Sequence, residues 1–279
     1  MIISIMKKLL FLTFLLSPLF SSAQNIDIKP TEIIQGDPVM ITIDSQVKKI
    51  TFDGIAVATF QYNKKTRGLV PINLTRKPGS YNFKIEFPDG RVTEKTITVK
   101  ERKKIEAPLG IPHKLGGDTP ASQKNLVNNL SKENASLENI KTEAKSFWTK
   151  PFRFPIKNPI VTDPYGYNRK TGEYTITHKG TDFRAKDGTP VMAMNQGVVR
   201  QARTYTIYGK TIVIDHGLGL QTFYMHLSKI NVKVGDTVKP GQVIGLAGKT
   251  GYAESSHLHL TVRINGISID PMRFMEFFK

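Results

Sequence analysis

The sequence contains no cysteine in its 279 residues. That absence excludes disulfides, thiol nucleophiles, cysteine metal ligands and a lipid-modified N-terminal cysteine. Beyond the first 23 residues there is also no apolar run of the ~20 residues that a membrane-spanning helix needs. The mature protein is therefore expected to hold together by packing, helped by a metal ion if it binds one.

Acidic residues are scarce relative to basic ones. The chain has 23 Asp and Glu against 40 Lys and Arg, a formal net charge of +17. The excess is spread along the chain and is not held in a tail. For an exported protein, the expected anionic partners are cell-wall or envelope polymers and lipid head groups, with no nucleic acid. A generally basic surface with no particular partner is the alternative interpretation.

The first 23 residues are typical of a secretory signal peptide. Lys7 and Lys8 supply the positive start, and the run from 9 to 20 is mostly apolar. Small residues then precede Gln24 and offer a cleavage site. The apolar run is too short to span a bilayer, although an uncleaved anchor is the other interpretation. We expect an exported protein, periplasmic, extracellular or associated with the cell wall, with no membrane span in its mature chain.

Residues 24–100 alternate short apolar and polar runs with turn signals such as Asp89-Gly90, which can supply positive φ for a tight hairpin. Six or seven such runs in under eighty residues predict a small immunoglobulin-like β-sandwich. No group of histidines or carboxylates lies here. We therefore expect a binding, spacing or covering module without chemistry of its own.

Residues 101–150 are predicted to be a linker that contains an amphipathic helix. Thr119 and Pro120 are typical of a helix start, and Pro151 marks the latest possible end, so the helix is expected over about 120–148. Its apolar residues recur at helical spacing and form one stripe. We expect that stripe to be buried in a structural role that ties the two domains together.

Residues 151–279 change character, with glycines every few residues between short strands rich in Val, Ile and Thr. This pattern predicts an all-β domain of coiled antiparallel sheet. Five of the six histidines fall in it, and one of them, His216, lies at a predicted turn. We interpret His216 as a satisfied imidazole and not as a metal ligand.

The other four histidines and one carboxylate form the candidate site. His257 and His259 are two apart on a predicted strand, so their side chains share a face. His178 and Asp182 are four apart and share a face in a strand or in a helix. Two His and one Asp suit zinc and leave a fourth position open for water. His226 and one of the paired histidines would then be free to move protons or stabilise charge.

These residues occur in an order that resembles the lysostaphin-type (LytM-like) zinc metalloendopeptidase family. The similar segments are His178-x-x-x-Asp182, Tyr224-x-His226-Leu227 and His257-Leu258-His259. Several glycine-containing flanking segments between about 152 and 275 are similar too. Residues 24–148 are less specifically similar to the immunoglobulin-like domain and helix that precede the peptidase domain in some exported members.

The resemblance implies that His178, Asp182 and His259 bind one zinc ion and that His226 and His257 act on the substrate. The implied activity is hydrolysis of peptide cross-links in bacterial peptidoglycan, with the stem peptides as substrate. Some relatives have lost ligands and activate wall amidases instead. A catalytically silent or occluded wall-binding scaffold of that kind is the alternative function, and the intact residue set argues against it.

Overall fold

The computed structural model describes residues 25–278, so the expected signal peptide at 1–23 lies outside the described residues. Most regular structure in this range is β-strand, and the all-β prediction is confirmed. No helix within residues 25–278 is long and apolar enough to cross a membrane.

The first nine strands form two sheets packed around one apolar core. They are β1 Ile26–Lys29, β2 Ile33–Ile34, β3 Pro38–Ile43, β4 Lys49–Phe52, β5 Ile55–Ala56, β6 Thr59–Tyr62, β7 Lys65–Pro71, β8 Gly79–Glu86 and β9 Val92–Lys100. One sheet has the order β1-β3-β7-β6 and the other β2-β9-β8-β4-β5. Alternate residues of both, such as Ile41 and Phe83, point inward and are fully buried. The sandwich thus follows directly from the period-two pattern.

The segment that follows contains β10 Glu106–Pro108, a 3₁₀ turn at His113–Leu115 and helix α1 at Pro120–Glu138. The helix starts where it was expected, because Thr119 Oγ1 accepts the backbone N–H of Ser122 and caps the first turn. Its apolar stripe does not join the two domains. Leu126 packs with Ile207 and Leu137 with Phe223, both in the C-terminal domain.

The expected helix end near residue 148 is wrong, since α1 stops at Glu138. The reason is a tertiary contact. The buried carboxylate of Asp215 accepts the Glu143 backbone N–H at 3.0 Å and the Thr142 hydroxyl at 2.7 Å. The Glu143 carbonyl in turn accepts the Leu218 backbone N–H. These bonds hold the chain in an irregular, non-helical path, and they compete with the intrahelical bonds that a longer helix would make.

The C-terminal domain contributes the remaining strands and a short helix. They are β11 Val161–Asp163, β12 Asn168–Thr171, β13 Tyr174–Thr177, β14 Thr181–Arg184, β15 Pro190–Met192, β16 Gly197–Tyr205, β17 Gly209–Gly217, β18 Leu220–Leu227, β19 Lys229–Ile230, β20 Thr237–Val238, β21 Val243–Leu246, β22 His257–Ile264, β23 Ile267–Ile269 and α2 Pro271–Glu276.

The main sheet of this domain is antiparallel and has the order β11-β14-β22-β18-β17-β16-β20, with β23 beside β22. A second sheet, β15-β21-β19, shares a core with it. Hairpin β12–β13 joins β10 in a third, small sheet. One face of the central strands is therefore buried in the core, and the opposite face is left to carry the site.

The sandwich is seated on the C-terminal core by aromatic side chains. Phe60 lies edge-on to Trp148 with ring centroids 4.7 Å apart, and Tyr62 packs against Trp148 and Phe278. Arg102 adds an ion pair to Asp37 of the sandwich region and another to Asp270 at the start of α2. The two regions thus share apolar and charged contacts.

Candidate metal centre and its groove

Two adjacent strands bring the metal-ligating side chains together. Strands β14 and β22 are antiparallel in a register that sets Asp182 opposite His259, and His178 lies just before β14. Gly180 sits between them, and a side chain there would collide with the His259 ring and the Leu260 carbonyl. A small residue at 180 is therefore needed for the strands to approach with both groups facing inward.

Three ligand atoms meet at one point. The Nε2 atom of His178 lies 3.1 Å from Asp182 Oδ1 and 3.0 Å from His259 Nδ1, and the last two atoms are 2.7 Å apart. All three residues are buried. The structure thus brings together the three residues predicted to bind metal.

The outer contacts of the two imidazoles fix which nitrogen carries the proton. His178 Nδ1 is 3.0 Å from the Pro164 carbonyl, which can only accept, so that nitrogen holds the proton. The Thr261 hydroxyl donates to the Lys179 carbonyl and therefore accepts from His259 Nε2 at 3.0 Å. Both ring nitrogens that face the centre therefore carry a lone pair and no proton. Two lone pairs and a carboxylate oxygen within about 3 Å repel one another unless a cation lies among them.

The carboxylate of Asp182 is held at both oxygens. Oδ1 faces the histidines, and Oδ2 accepts from Arg169 Nη2 at 2.6 Å; the same guanidinium also reaches Asp163. The Arg169 guanidinium stabilises the ionised form of this buried carboxylate. Asp182 is therefore a fixed anion. The role of Arg169 carries no signal in the sequence, because it depends on how hairpin β12–β13 folds back.

The two remaining histidines lie together beside the centre. The His226 ring is 4.9 Å from the His257 ring and 6.0 Å from the His259 ring, centroid to centroid. Nδ1 of His226 donates to the Thr250 carbonyl at 2.9 Å, and Nδ1 of His257 donates to the Ser255 carbonyl at 2.9 Å. The Nε2 atom of each ring is then unprotonated and has no hydrogen-bond partner among residues 25–278. Burial, reinforced by His257, lowers the pKa of His226 to about 3.

The backbone at His226 is in the left-handed region, with φ of +61°. Such a conformation is costly for a residue with a side chain and persists only where neighbours enforce it. Here the His226 N–H donates to the Tyr208 carbonyl at 3.0 Å. Like its side chain, the His226 backbone is therefore set by the loops around it.

His216, in contrast, lies away from this cluster. It is fully buried, with Nδ1 2.8 Å from the Gln196 carbonyl and Nε2 2.8 Å from the Thr222 hydroxyl. Burial lowers its pKa to about 4. Both nitrogens are satisfied within the fold, so the fold uses His216 as a neutral hydrogen-bonding group.

A cavity of about 670 Å³ opens above the centre and reaches His178, His226 and His259. We call it the groove. Its other walls are hairpin β12–β13, the 207–208 turn and helix α1. The helix as a wall was not expected from the sequence.

One residue of α1, Glu133, is recognisable from the sequence alone as a candidate for a buried contact. Glu133 falls within the apolar stripe that Leu126, Leu130 and Leu137 define, which is an unusual place for a carboxylate. In the structure it is buried and accepts the backbone N–H groups of three successive residues at 2.6–3.1 Å. These residues are Thr206, Ile207 and Tyr208.

A buried three-atom cation site flanked by two proton-accepting imidazoles, at the floor of an open groove, is the arrangement of a metal-dependent hydrolase. Comparison with known proteins agrees. Residues 176–271 match the model of Peptidase family M23. The chain is 38% identical to the catalytic domain of lysostaphin from Staphylococcus simulans, over 43% of this chain and 93% of that one, with a TM-score of 0.40. The chain belongs to peptidase family M23, and the resemblance to lysostaphin-type enzymes is confirmed.

Two further comparisons define the range of the similarity. Peptidoglycan DD-endopeptidase ShyA of Vibrio cholerae is 44% identical over 96 residues, which are 34% of this chain and 22% of that protein. An uncharacterized metalloprotease of Haemophilus influenzae is 41% identical over 125 residues, 43% of this chain and 26% of that protein. The chain thus spans about a quarter of each of these curated relatives.

A putative peptidase M23 from Pseudomonas aeruginosa is similar over a longer stretch. It covers 88% of this chain and 95% of its own at a TM-score of 0.63 and 24% identity, and so shares the fold.

Proposed function

We propose that this chain is a zinc-dependent endopeptidase that hydrolyses the peptide cross-links of bacterial peptidoglycan. The proposal is carried by one observation. Three acceptor atoms without a proton converge on a point beside two imidazoles whose Nε2 atoms are free. The substrate class is supported by ShyA, whose name gives it as a peptidoglycan DD-endopeptidase.

The residues that would hold the metal are His178, Asp182 and His259. A set of two imidazoles and one carboxylate suits zinc and leaves one coordination position for water or substrate. When bound, zinc supplies Lewis acidity that lowers the pKa of a coordinated water towards ~7 and polarises a carbonyl. Pro164 and Thr261 hold the protons of His178 and His259 on the outer ring nitrogens, so neither imidazole has to lose a proton to receive the ion.

The proton transfers are assigned to His226 and His257. Each carries its proton on Nδ1, which is bonded to a backbone carbonyl, so each has an unprotonated Nε2 that can accept a proton. One of them accepts the proton of the attacking water. That imidazole, now protonated on Nε2, returns the proton to the leaving amine, while the other can hydrogen-bond the developing charge when its own Nε2 is protonated. Burial lowers the pKa of His226, so this imidazole is neutral at neutral pH.

The decisive test combines metal content and digestion on the same sample. The purified full chain should hold one zinc per molecule by mass spectrometry of the metal. It should also convert the cross-linked dimers of purified sacculi to monomers. Stoichiometric zinc and sacculus binding without cleavage would instead favour the silent scaffold that activates an amidase.

Export and wall association belong to the same proposal. The charge of +17 and the signal-like residues 1–23 support a protein that acts outside the cytoplasm on an anionic polymer. N-terminal sequencing of the mature protein should begin at Gln24. Salt-sensitive co-sedimentation with sacculi would support the anionic partner, and an intact Met1 in the mature chain would contradict cleavage.

A further inference from the structure

The groove contains a buried cation that the proposed chemistry does not use. Arg263 lies on β22 four residues beyond His259, so both side chains project from the same face of the strand. It lines the groove although only 7% of it is exposed. At 3.3 Å per residue, the two positions are about 13 Å apart along the groove floor.

The guanidinium of Arg263 is incompletely paired. Nη1 donates to the Leu137 carbonyl at 2.9 Å, and the group lies 4.5 Å from the centre of the Phe223 ring. The Nε atom is buried and has no hydrogen-bond partner in residues 25–278. No carboxylate in the same range lies within ion-pair distance of it. A buried charge without a counter-ion is costly, and burial accordingly lowers the pKa of Arg263.

None of the other charged side chains on the described groove lining forms an ion pair with Arg263. Arg169 is already paired with Asp163 and Asp182. Lys179 is an exposed cation on the opposite wall. Glu138, at the end of α1, is the one acidic residue that the described part of the chain contributes to the groove lining. It is exposed to solvent and favours the charged form of Arg263 without pairing with it. Arg263 is therefore a buried cation of the groove that no carboxylate within residues 25–278 pairs with directly.

We propose that Arg263 forms a subsite for a carboxylate of the substrate, located about 13 Å from the metal centre. An extended peptide that lies along β22 reaches this distance after about four residues. Arginine suits the role because its planar fork can donate two parallel hydrogen bonds to one carboxylate. This inference rests on the proposed function, and it adds that the enzyme prefers substrates with a free carboxylate three to four residues from the scissile bond.

The test uses synthetic cross-linked peptides that carry a single carboxylate two, three, four or five residues from the scissile bond, each matched by its carboxamide. For the zinc-loaded full chain, kcat/KM should favour the carboxylate by about 10–100-fold at three or four residues, since a hydrogen bond to a charged group contributes about 1.5–3 kcal/mol. The preference should vanish at two and five. Equal rates for acid and amide at every position would overturn the proposal.

Variants locate the preference on Arg263. Arg263→Gln should reduce the ratio of the carboxylate rate to the carboxamide rate to near one. The matched control is Arg203→Gln, an exposed arginine outside the groove, which should keep the full ratio. If Arg263→Gln fails to fold, Arg263→Lys retains the charge without the fork and should lose most of the preference. A full ratio in either folded variant would remove Arg263 from the subsite.

Failure of the subsite and failure of the endopeptidase proposal give different results. Calorimetric affinities of the same peptides for the full chain report the subsite without any turnover. Cleavage of neither peptide, with tighter binding of the carboxylate, would reject the proposed activity and retain the subsite. Cleavage of both at equal rates and equal affinities would reject the subsite and retain the activity.

Discussion

The sandwich and the C-terminal domain are both β-structures with apolar cores, but they bury very different polar groups. Among residues 25–100, all of which the structure describes, the buried polar side chains are Asp37 and Thr66. The C-terminal domain buries many more. His178, Asp182, His226, His259, Thr261 and Arg263 lie at the metal centre or on the groove, and Asp215 and His216 are buried elsewhere in the domain.

This difference in buried polar groups is what we expect between a structural domain, the sandwich, and a domain that carries a functional site, the C-terminal domain. A buried polar group costs free energy unless it is hydrogen-bonded, so a domain whose only task is to fold avoids it. In the C-terminal domain most such groups have a partner, as Asp215 has in Thr142 and Glu143, and Arg263 Nε is an exception. Substitutions in the two regions should therefore fail in different ways. The sandwich should lose stability, and the C-terminal domain should lose metal or activity first.

The largest expected effect comes from the metal ligands. His178→Ala, Asp182→Ala or His259→Ala should each abolish stoichiometric zinc and reduce turnover below detection, because three ligands are the minimum for the site. The contrast is Phe83→Ala in the sandwich core, which should cost about 3–5 kcal/mol of stability yet leave zinc content unchanged in the folded fraction. Full zinc in His259→Ala would remove that residue from the ligand set.

The next effect concerns His226 and His257. Each Ala variant should retain zinc and its fold but lose about 10²–10⁴-fold in turnover, the usual scale for general acid–base groups. Because both act on one transition state, the double variant should lose less than the product of the two single losses. Metal content and turnover are measured on the same preparations. Zinc lost together with activity in His257→Ala would contradict the division between binding and proton transfer.

Glu133 tests whether helix α1 belongs functionally to the C-terminal domain. Glu133→Ala leaves the buried N–H groups of Thr206, Ile207 and Tyr208 without their acceptor and should cost about 2–4 kcal/mol of stability. Denaturant unfolding measures this loss. The matched control is Lys132→Ala, the exposed neighbour on the same helix, which should change stability by less than ~0.5 kcal/mol. Equal stability of both variants would mean that the helix is not anchored through Glu133.

What the sequence predicted, and what it did not, follows the same division. The alternation along 257–264 placed His257 and His259 on one face, and the structure agrees because a strand's side-chain period is fixed. The end of α1 could not be predicted from the local sequence, because it depends on hydrogen bonds to Asp215, some 70 residues away. The same holds for Arg169 and for the helix as a groove wall. The spacing of apolar residues shows which face of a strand or helix is buried, but it does not show which part of the chain covers that face.

The smallest expected effect is on the pH dependence of stability, where one titrating group of each region acts in the opposite direction to the other. Burial lowers the pKa of His216 to about 4 from its ordinary 6.5, whereas burial raises that of Asp37 to about 6 from its ordinary 3.8, despite the Ile34 N–H and Arg102. Between pH 4 and 6.5 the unfolded chain binds more protons at His216, so acidification destabilises the fold there. Between pH 3.8 and 6 the folded chain binds more protons at Asp37, so acidification stabilises it.

From pH 7 to pH 5 these two groups should shift the free energy of unfolding by about −2 and about +1 kcal/mol. The zinc-loaded His216→Gln variant should therefore lose less stability on acidification than the wild type, and Asp37→Asn should lose more. Other titrating groups are common to all three proteins and cancel when the pH dependences of unfolding are subtracted. Parallel curves for Asp37→Asn and the wild type would show that Asp37 is already ionised throughout this range and is stabilised by Arg102. In that case the sandwich region contributes no pH dependence through this group, and the acid sensitivity of the fold lies in the C-terminal domain, where the buried imidazoles are.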